Sequence, residues 1–192
     1  MAFTDYIDLR TAVIEEVGSA DIADVMDRLT KLAEAGLNRK LRTRHQITEA
    51  TLTFTDGVAD LPADFAEIIG LYDAQGCEYI AQPYQVTARA YPKPYYAVNA
   101  SQIVGPEGEL TLHYYAKLPT LTASMTTSNW LLENYPSVYL YAVSLEAAKH
   151  MRDADQATAL DAMFKAELVD LISDDTSARY ARARVRVMGP TP

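Results

Sequence analysis

The strongest constraint on this chain is the run at residues 129–153, NWLLENYPSVYLYAVSLEAAKHMRD, followed at once by a second helical pattern at 155–175. Pro136 stands where a fixed φ and a missing N–H suit the first turn of a helix, which predicts a helix over 136–152. Tyr141, Ala142, Leu145 and Ala148 then fall along one face, with Leu140, Val143, Ala147 and Met151 beside them. Little more than Ser144, Glu146, Lys149 and Arg152 is left for water, so this helix is expected to be mostly buried. The next pattern sets Leu160, Met163, Phe164, Leu168, Leu171 and Ile172 at spacings of three and four, opposite Asp161, Lys165, Glu167 and Asp170. Two such faces in succession predict an antiparallel pair over 136–152 and 155–176.

A second pair is readable at the start of the chain. Thr4 can cap a helix over 4–18 carrying Tyr6, Leu9, Val13 and Val17, which closes near Gly18. Ser19 can cap another over 20–43, where Ile22, Val25, Met26, Leu29, Leu32, Ala33, Leu37 and Leu41 hold the helical period. Its end is rich in cations, Arg39, Lys40, Arg42 and Arg44, which the helix macrodipole favours and which also form a basic cluster.

Between the pairs the period changes to two. Ile47, Ala50, Leu52 and Phe54 lead to a hairpin turn at Thr55, Asp56 and Gly57, with a return strand over 58–61 and a helical turn over 62–65. Strands follow at 67–72, 77–80, 95–99 and 102–104, and Leu110, Leu112 and Tyr114 form the inner face of a last one. Residues 116–128 read as a loop anchored by Leu118 and Leu121. The expected fold class is therefore α+β, a four-helix bundle core with an inserted small antiparallel β domain. Its expected parts are a bundle from 1–45 and 116–178, a β domain over 46–115, and an extended basic arm over 179–192.

Composition bears on function through charge. The formal net charge is -9, yet residues 177–192 hold Arg179, Arg182, Arg184 and Arg186 and no acid, so the first 176 residues set 13 basic against 26 acidic side chains. A body this acidic repels phosphate backbones, which argues against stable nucleic-acid binding. No run approaches the length of a membrane span, and the N-terminus is acidic and amphipathic instead of basic and then apolar, so a cytosol-assembled protein is expected. Cys77 is the only cysteine; it excludes an internal disulfide framework and reads as a small buried or half-buried residue.

The residues that carry chemistry are sparse. His45, His113 and His150 fit no metal-ligand spacing, and the EF-hand-like start at Asp153 and Asp155 fails where Ala157, Thr158 and Phe164 replace the residues such a loop requires. No phosphate-cradling loop or nucleophile elbow is present, so no catalytic, cofactor or metal residue is assigned. The thirteen tyrosines are divided between core packing and interfaces. In the tail, Arg182, Arg184 and Arg186 alternate with Ala183, Val185 and Val187, the period of an extended strand.

Three segments together resemble a known family: LAEAGLNRKLRTR at 32–44, YYAKLPTL at 114–121 and TTSNWLLENYPSVYLYAVSLEAAKHMRDAD at 126–155. They are similar to the head-to-tail adaptor proteins of tailed bacteriophages and their gene-transfer relatives, the group related to tail tubular protein A. Order and spacing agree over about residues 4–178, and the NWLL, Pro and YLY run is the most distinctive part. The resemblance implies a structural virion protein without enzymatic activity, assembled in the host cytoplasm and placed at the head-tail junction. It implies a homo-oligomeric ring, usually of twelve copies, below the portal protein and above downstream tail or neck proteins, with DNA passing through unbound. Arg179, Arg182, Arg184 and Arg186, together with Arg39, Arg42 and Arg44, are the candidate partner-binding residues. Two other classes stay open from residues alone: an enzyme built on scattered carboxylates and a generic regulatory module. Gly36, in the middle of the second helix, departs from what helix propensity favours.

Overall fold

The computed structural model describes residues 3–84 and 95–181, which form two compact units, one from 1–44 with 119–192 and the other from 45–118. The helical unit opens with α1, Tyr6–Val17. Asp5, not Thr4, caps it, accepting from the backbone N–H groups of Ile7 at 2.9 Å and Asp8 at 3.1 Å. Thr4 instead donates to the Asp8 carboxylate through its backbone N–H at 3.0 Å and through its hydroxyl. Gly18 ends α1 in the left-handed region at φ 72, as its position after Val17 predicts.

The second expected helix is broken. Residues Ala20–Val25 form a 3-10 helix capped by Ser19, and α2 proper runs over Met26–Lys40. Arg10 takes the Ala23 carbonyl at 3.0 Å and the Asp27 carboxylate at 2.7 Å, so a side chain from α1 holds the tight segment in place. The chain then leaves the helix at Leu41, short of residue 43, with ψ at 130.

Asn129 caps a one-turn helix α3, Trp130–Asn134, and Pro136 stands at the start of α4, Pro136–Met151. Arg152 closes α4 in the left-handed region, and Asp153 caps α5, Ala154–Tyr180, by accepting from Gln156 N–H at 3.0 Å. α4 buries Val138, Tyr139, Ala142, Val143, Leu145, Ala147 and Ala148, and also Ser144, which sequence reasoning assigned to water. α5 buries a narrower seam than expected, Leu160, Phe164, Leu171 and Asp175, and exposes Met163 and Ile172.

The four-helix bundle is overturned. Among the described residues there are five α-helices, and α1, α2, α3 and α5 each pack chiefly on α4 instead of sharing a core in four-fold contact. The reason is visible in α4 itself: a helix apolar on nearly every side satisfies several neighbours at once and takes the centre. The class remains α+β.

The described residues of the β unit form two sheets, antiparallel as expected except for one strand pair. One sheet has the order β1 (Ile47–Phe54), β7 (Gly108–Ala116), β3 (Phe65–Tyr72). The other has the order β2 (Val58–Asp60), β6 (Gln102–Val104), β5 (Tyr95–Asn99), β4 (Ile80–Ala81), and its β4–β5 pair is parallel. Asp56 at φ 53 and Gly57 at φ 75 make the tight turn after Thr55, yet only Thr55 and Val58 bridge across it. Beyond that bridge β1 pairs with β7 and β2 with β6, so the turn passes the chain from one sheet to the other. Leu52, Phe54, Leu71, Ile103, Leu110 and Leu112 close the core between them. Residues 62–65 form a turn in which Phe65 N–H donates to the Pro62 carbonyl at 2.9 Å, not a helical segment.

Candidate partner-binding surface

The cations singled out from sequence divide into three groups. Arg42, Arg44 and Arg179 come together where the chain leaving α2 meets the last turns of α5. Their organiser is Asp175, a buried carboxylate in the apolar seam of α5. It accepts from the backbone N–H of Arg44 at 2.9 Å and pairs with Arg179 Nε at 2.8 Å. Arg179 Nη2 also donates to the Arg42 carbonyl at 2.8 Å, and Arg42 Nη1 donates to the Asn38 carbonyl at 2.8 Å. These bonds satisfy carbonyls left open by the end of α2 and tie it to α5. Arg179 is thus part of the folded unit, not the first residue of an arm.

Arg39 lies apart, on the outer side of α2, where it lines a groove of about 160 Å3 between α2, α4 and α5. Inside the groove Lys40 sits 4.6 Å over the Phe164 ring, and Lys149 pairs with Glu146 at 2.7 Å. Arg182, Arg184 and Arg186 lie outside the described residues, as does the expected arm beyond 181.

The helical unit also holds a polar cluster that sequence reasoning missed. Glu34, on the inner face of α2, is 5% exposed. Its carboxylate accepts from Thr120 Oγ1 at 2.7 Å, Leu121 N–H at 2.8 Å and Tyr139 Oη at 3.3 Å. Asn129 Nδ2 adds donations to the Pro119 carbonyl at 2.7 Å and to Tyr139 Oη at 3.0 Å. Burial beside Glu34 pushes the Tyr139 hydroxyl far above its ordinary range, so it stays a donor. The cluster pins the 119–129 loop to α2 and α4. Its only sequence signal was an acid on the inner stripe, at i+4 from Thr30 and i−3 from Leu37.

Among the described residues no group of three His, Cys, Asp or Glu could hold a metal ion. His113 is 3.6 Å from Glu49 and meets the Tyr72 ring at a tilt, 4.9 Å between centroids, while His45 and His150 are exposed. Cys77 is exposed in the turn after Asp73, which corrects the expectation of a buried strand residue. Of the tyrosines in the β part and near α4, Tyr96, Tyr114 and Tyr139 are core; Tyr95, Tyr115, Tyr135 and Tyr141 are half-buried, and Tyr91 is outside the described residues. No helix among the described residues is long and apolar enough to cross a membrane.

A model of the SU10 adaptor protein family matches residues 4–187. The chain belongs to that family. The match covers both units and extends past the basic corner, so the adaptor is a bacteriophage structural protein, and the segments NWLL and YLY that first suggested a phage adaptor lie within it. No curated protein matches the adaptor. An adaptor is a part of the virion that works by joining other proteins, and its functional residues are those that meet partners.

Proposed function

We propose that the adaptor forms a ring, of twelve copies, beneath the portal, linking head to tail and continuing the DNA channel as in the tail tubular protein A group. The observation that carries this reading is the family match over 4–187. Its partners are further copies of itself, the portal above and tail or neck proteins below. The body's excess of acid supports a channel through which DNA slides, since like charge discourages sticking. A joining role also agrees with a chain that has no motif for hydrolase, transferase or metal chemistry.

Portal docking is assigned to the basic corner and the tail that follows it: Arg42 and Arg44 with Arg179, Arg182, Arg184 and Arg186. Exposed ion pairs contribute little singly, so several acting together would hold the portal, and salt would weaken them. Because Arg179 is bonded to Asp175 and to the Arg42 carbonyl, the informative truncation removes 182–192 and leaves it in place. The expected result is a subunit with an unchanged melting temperature and weakened portal binding. Electron microscopy of the full chain with portal should show rings on the portal; undiminished docking of the truncated chain at physiological ionic strength would move the contact away from the tail.

A further inference from the structure

We infer that the outer face of α2 on one copy docks on the outer face of α5 of the next copy, the anchors being Leu32 and Val169; this rests on the ring reading above. On α2, Arg28, Lys31, Leu32, Ala35 and Arg39 are all exposed and project away from the buried Leu29, Ala33 and Leu37. Leu32 is 52% exposed at the centre of this face. None of Arg28, Lys31 and Arg39 has a side-chain partner among the described residues. The acids of α2 do not serve them, for Asp27 is taken by Arg10 and Glu34 is buried. Whatever covers this face has to bring apolar area for Leu32 and carboxylates for three cations.

α5 offers both. Met163 is 47% and Val169 64% exposed, on the side turned away from Leu160, Phe164 and Leu171. Asp170 adjoins Val169 and has no side-chain partner among the described residues, and Asp174 lies one turn on, touched only by the Tyr135 hydroxyl at 3.4 Å. The short side chains of Ala162 and Ala166, also exposed, let a second helix approach closely. The outer face of α1 also exposes an apolar side chain, Ile7 at 46%, but it is a poorer match, since the carboxylate beside it, Asp8, already accepts from Thr4.

Leu32 and Arg39 stand at the rim of the groove that Asp161 and Phe164 of the same copy also line, but Asp170 follows Asp161 by nine residues, about half a turn round the helix, and so points away from that groove. The α2 face and the Asp170 side of α5 are therefore different surfaces. A contact between unlike surfaces is head-to-tail, and it closes into a ring when the rotation per copy permits.

The test uses Leu32→Asp and Val169→Asp in the full chain, with particle mass measured by light scattering, alone and with portal present. Both positions are exposed, so melting temperatures should not move. Each variant should need about tenfold or more higher concentration to assemble, or stay monomeric. An equal mixture of the two should give a one-to-one dimer that grows no further, because each copy retains one sound surface. Assembly of either variant like the unaltered chain, or a mixture that stays monomeric, would overturn the interface while leaving the ring intact. If the unaltered chain forms no multi-subunit species in either setting, the ring reading itself fails.

Discussion

Single side chains decide more here than their number suggests, because the polar ones that matter are buried. Glu34→Ala would leave Leu121 N–H and the Tyr139 hydroxyl without their carboxylate, at about 1–3 kcal/mol for each group left unpaired. Denaturant unfolding should register that loss, and Glu34→Gln should show a smaller one. Ser144 gives the opposite case: its hydroxyl is fully buried and finds no partner among the described residues. Ser144→Ala removes an unsatisfied group and should raise stability by about 1 kcal/mol, read as a higher melting temperature. Burial pushes the hydroxyls of Tyr6 and Tyr114 up to about 12 from 10.0, with Asp27 and Asp64 accepting from them. A raised pKa in the folded state means that the unfolded chain loses these protons first as pH rises. Their contribution is complete below about pH 10 and is lost as pH climbs through about 12, so unfolding midpoints should fall across that window while phenolate absorbance of the folded chain appears late.

At the scale of elements, α4 was the most legible and α5 the least. Pro136 and the dense apolar pattern placed α4 within a residue of its observed end, and Leu145, 6% exposed, should cost about 2–5 kcal/mol when replaced by Ala. A neutral melting result would place Leu145 at the surface and contradict the central position of α4. α5 misled because it is apolar on two sides: period alone cannot tell the seam of Leu160, Phe164 and Leu171 from the exposed Met163, Val169 and Ile172. α2 carries a glycine that nothing in the fold requires. A Cβ at Gly36 would meet open space, so Gly36→Ala should stabilise the helix by about 0.5–1 kcal/mol in thermal unfolding.

For the whole molecule, the division into units is the feature to test. The β unit has its own closed core around Leu71, Ile103 and Leu112, and its first and last strands pair within it. A fragment of residues 45–118 is therefore expected to fold alone, giving a cooperative melt and dispersed amide resonances; a disordered fragment would show that the helical unit is needed to hold it. The basic corner belongs to the helical unit, since Asp175 gathers Arg44 and Arg179 across more than a hundred residues of chain.

The sequence by itself determined the features governed by local rules. Cap and turn residues at Gly18, Ser19 and Gly57 set ends and turns, and alternation set the strands, because these depend on backbone dihedrals and neighbours a few residues away. The distinctive NWLL and YLY run also carried the resemblance to phage adaptors. Only the tertiary structure decided which apolar face of α5 is buried, that α4 is the hub of the helical unit instead of one wall of a bundle, and that β1 and β2 join different sheets across their own turn. It alone showed that Asp175 and Glu34 are buried anchors. Each of these outcomes rests on contacts between residues far apart in the chain, where burial depends on the competing demands of all neighbours and no short window of sequence contains the answer.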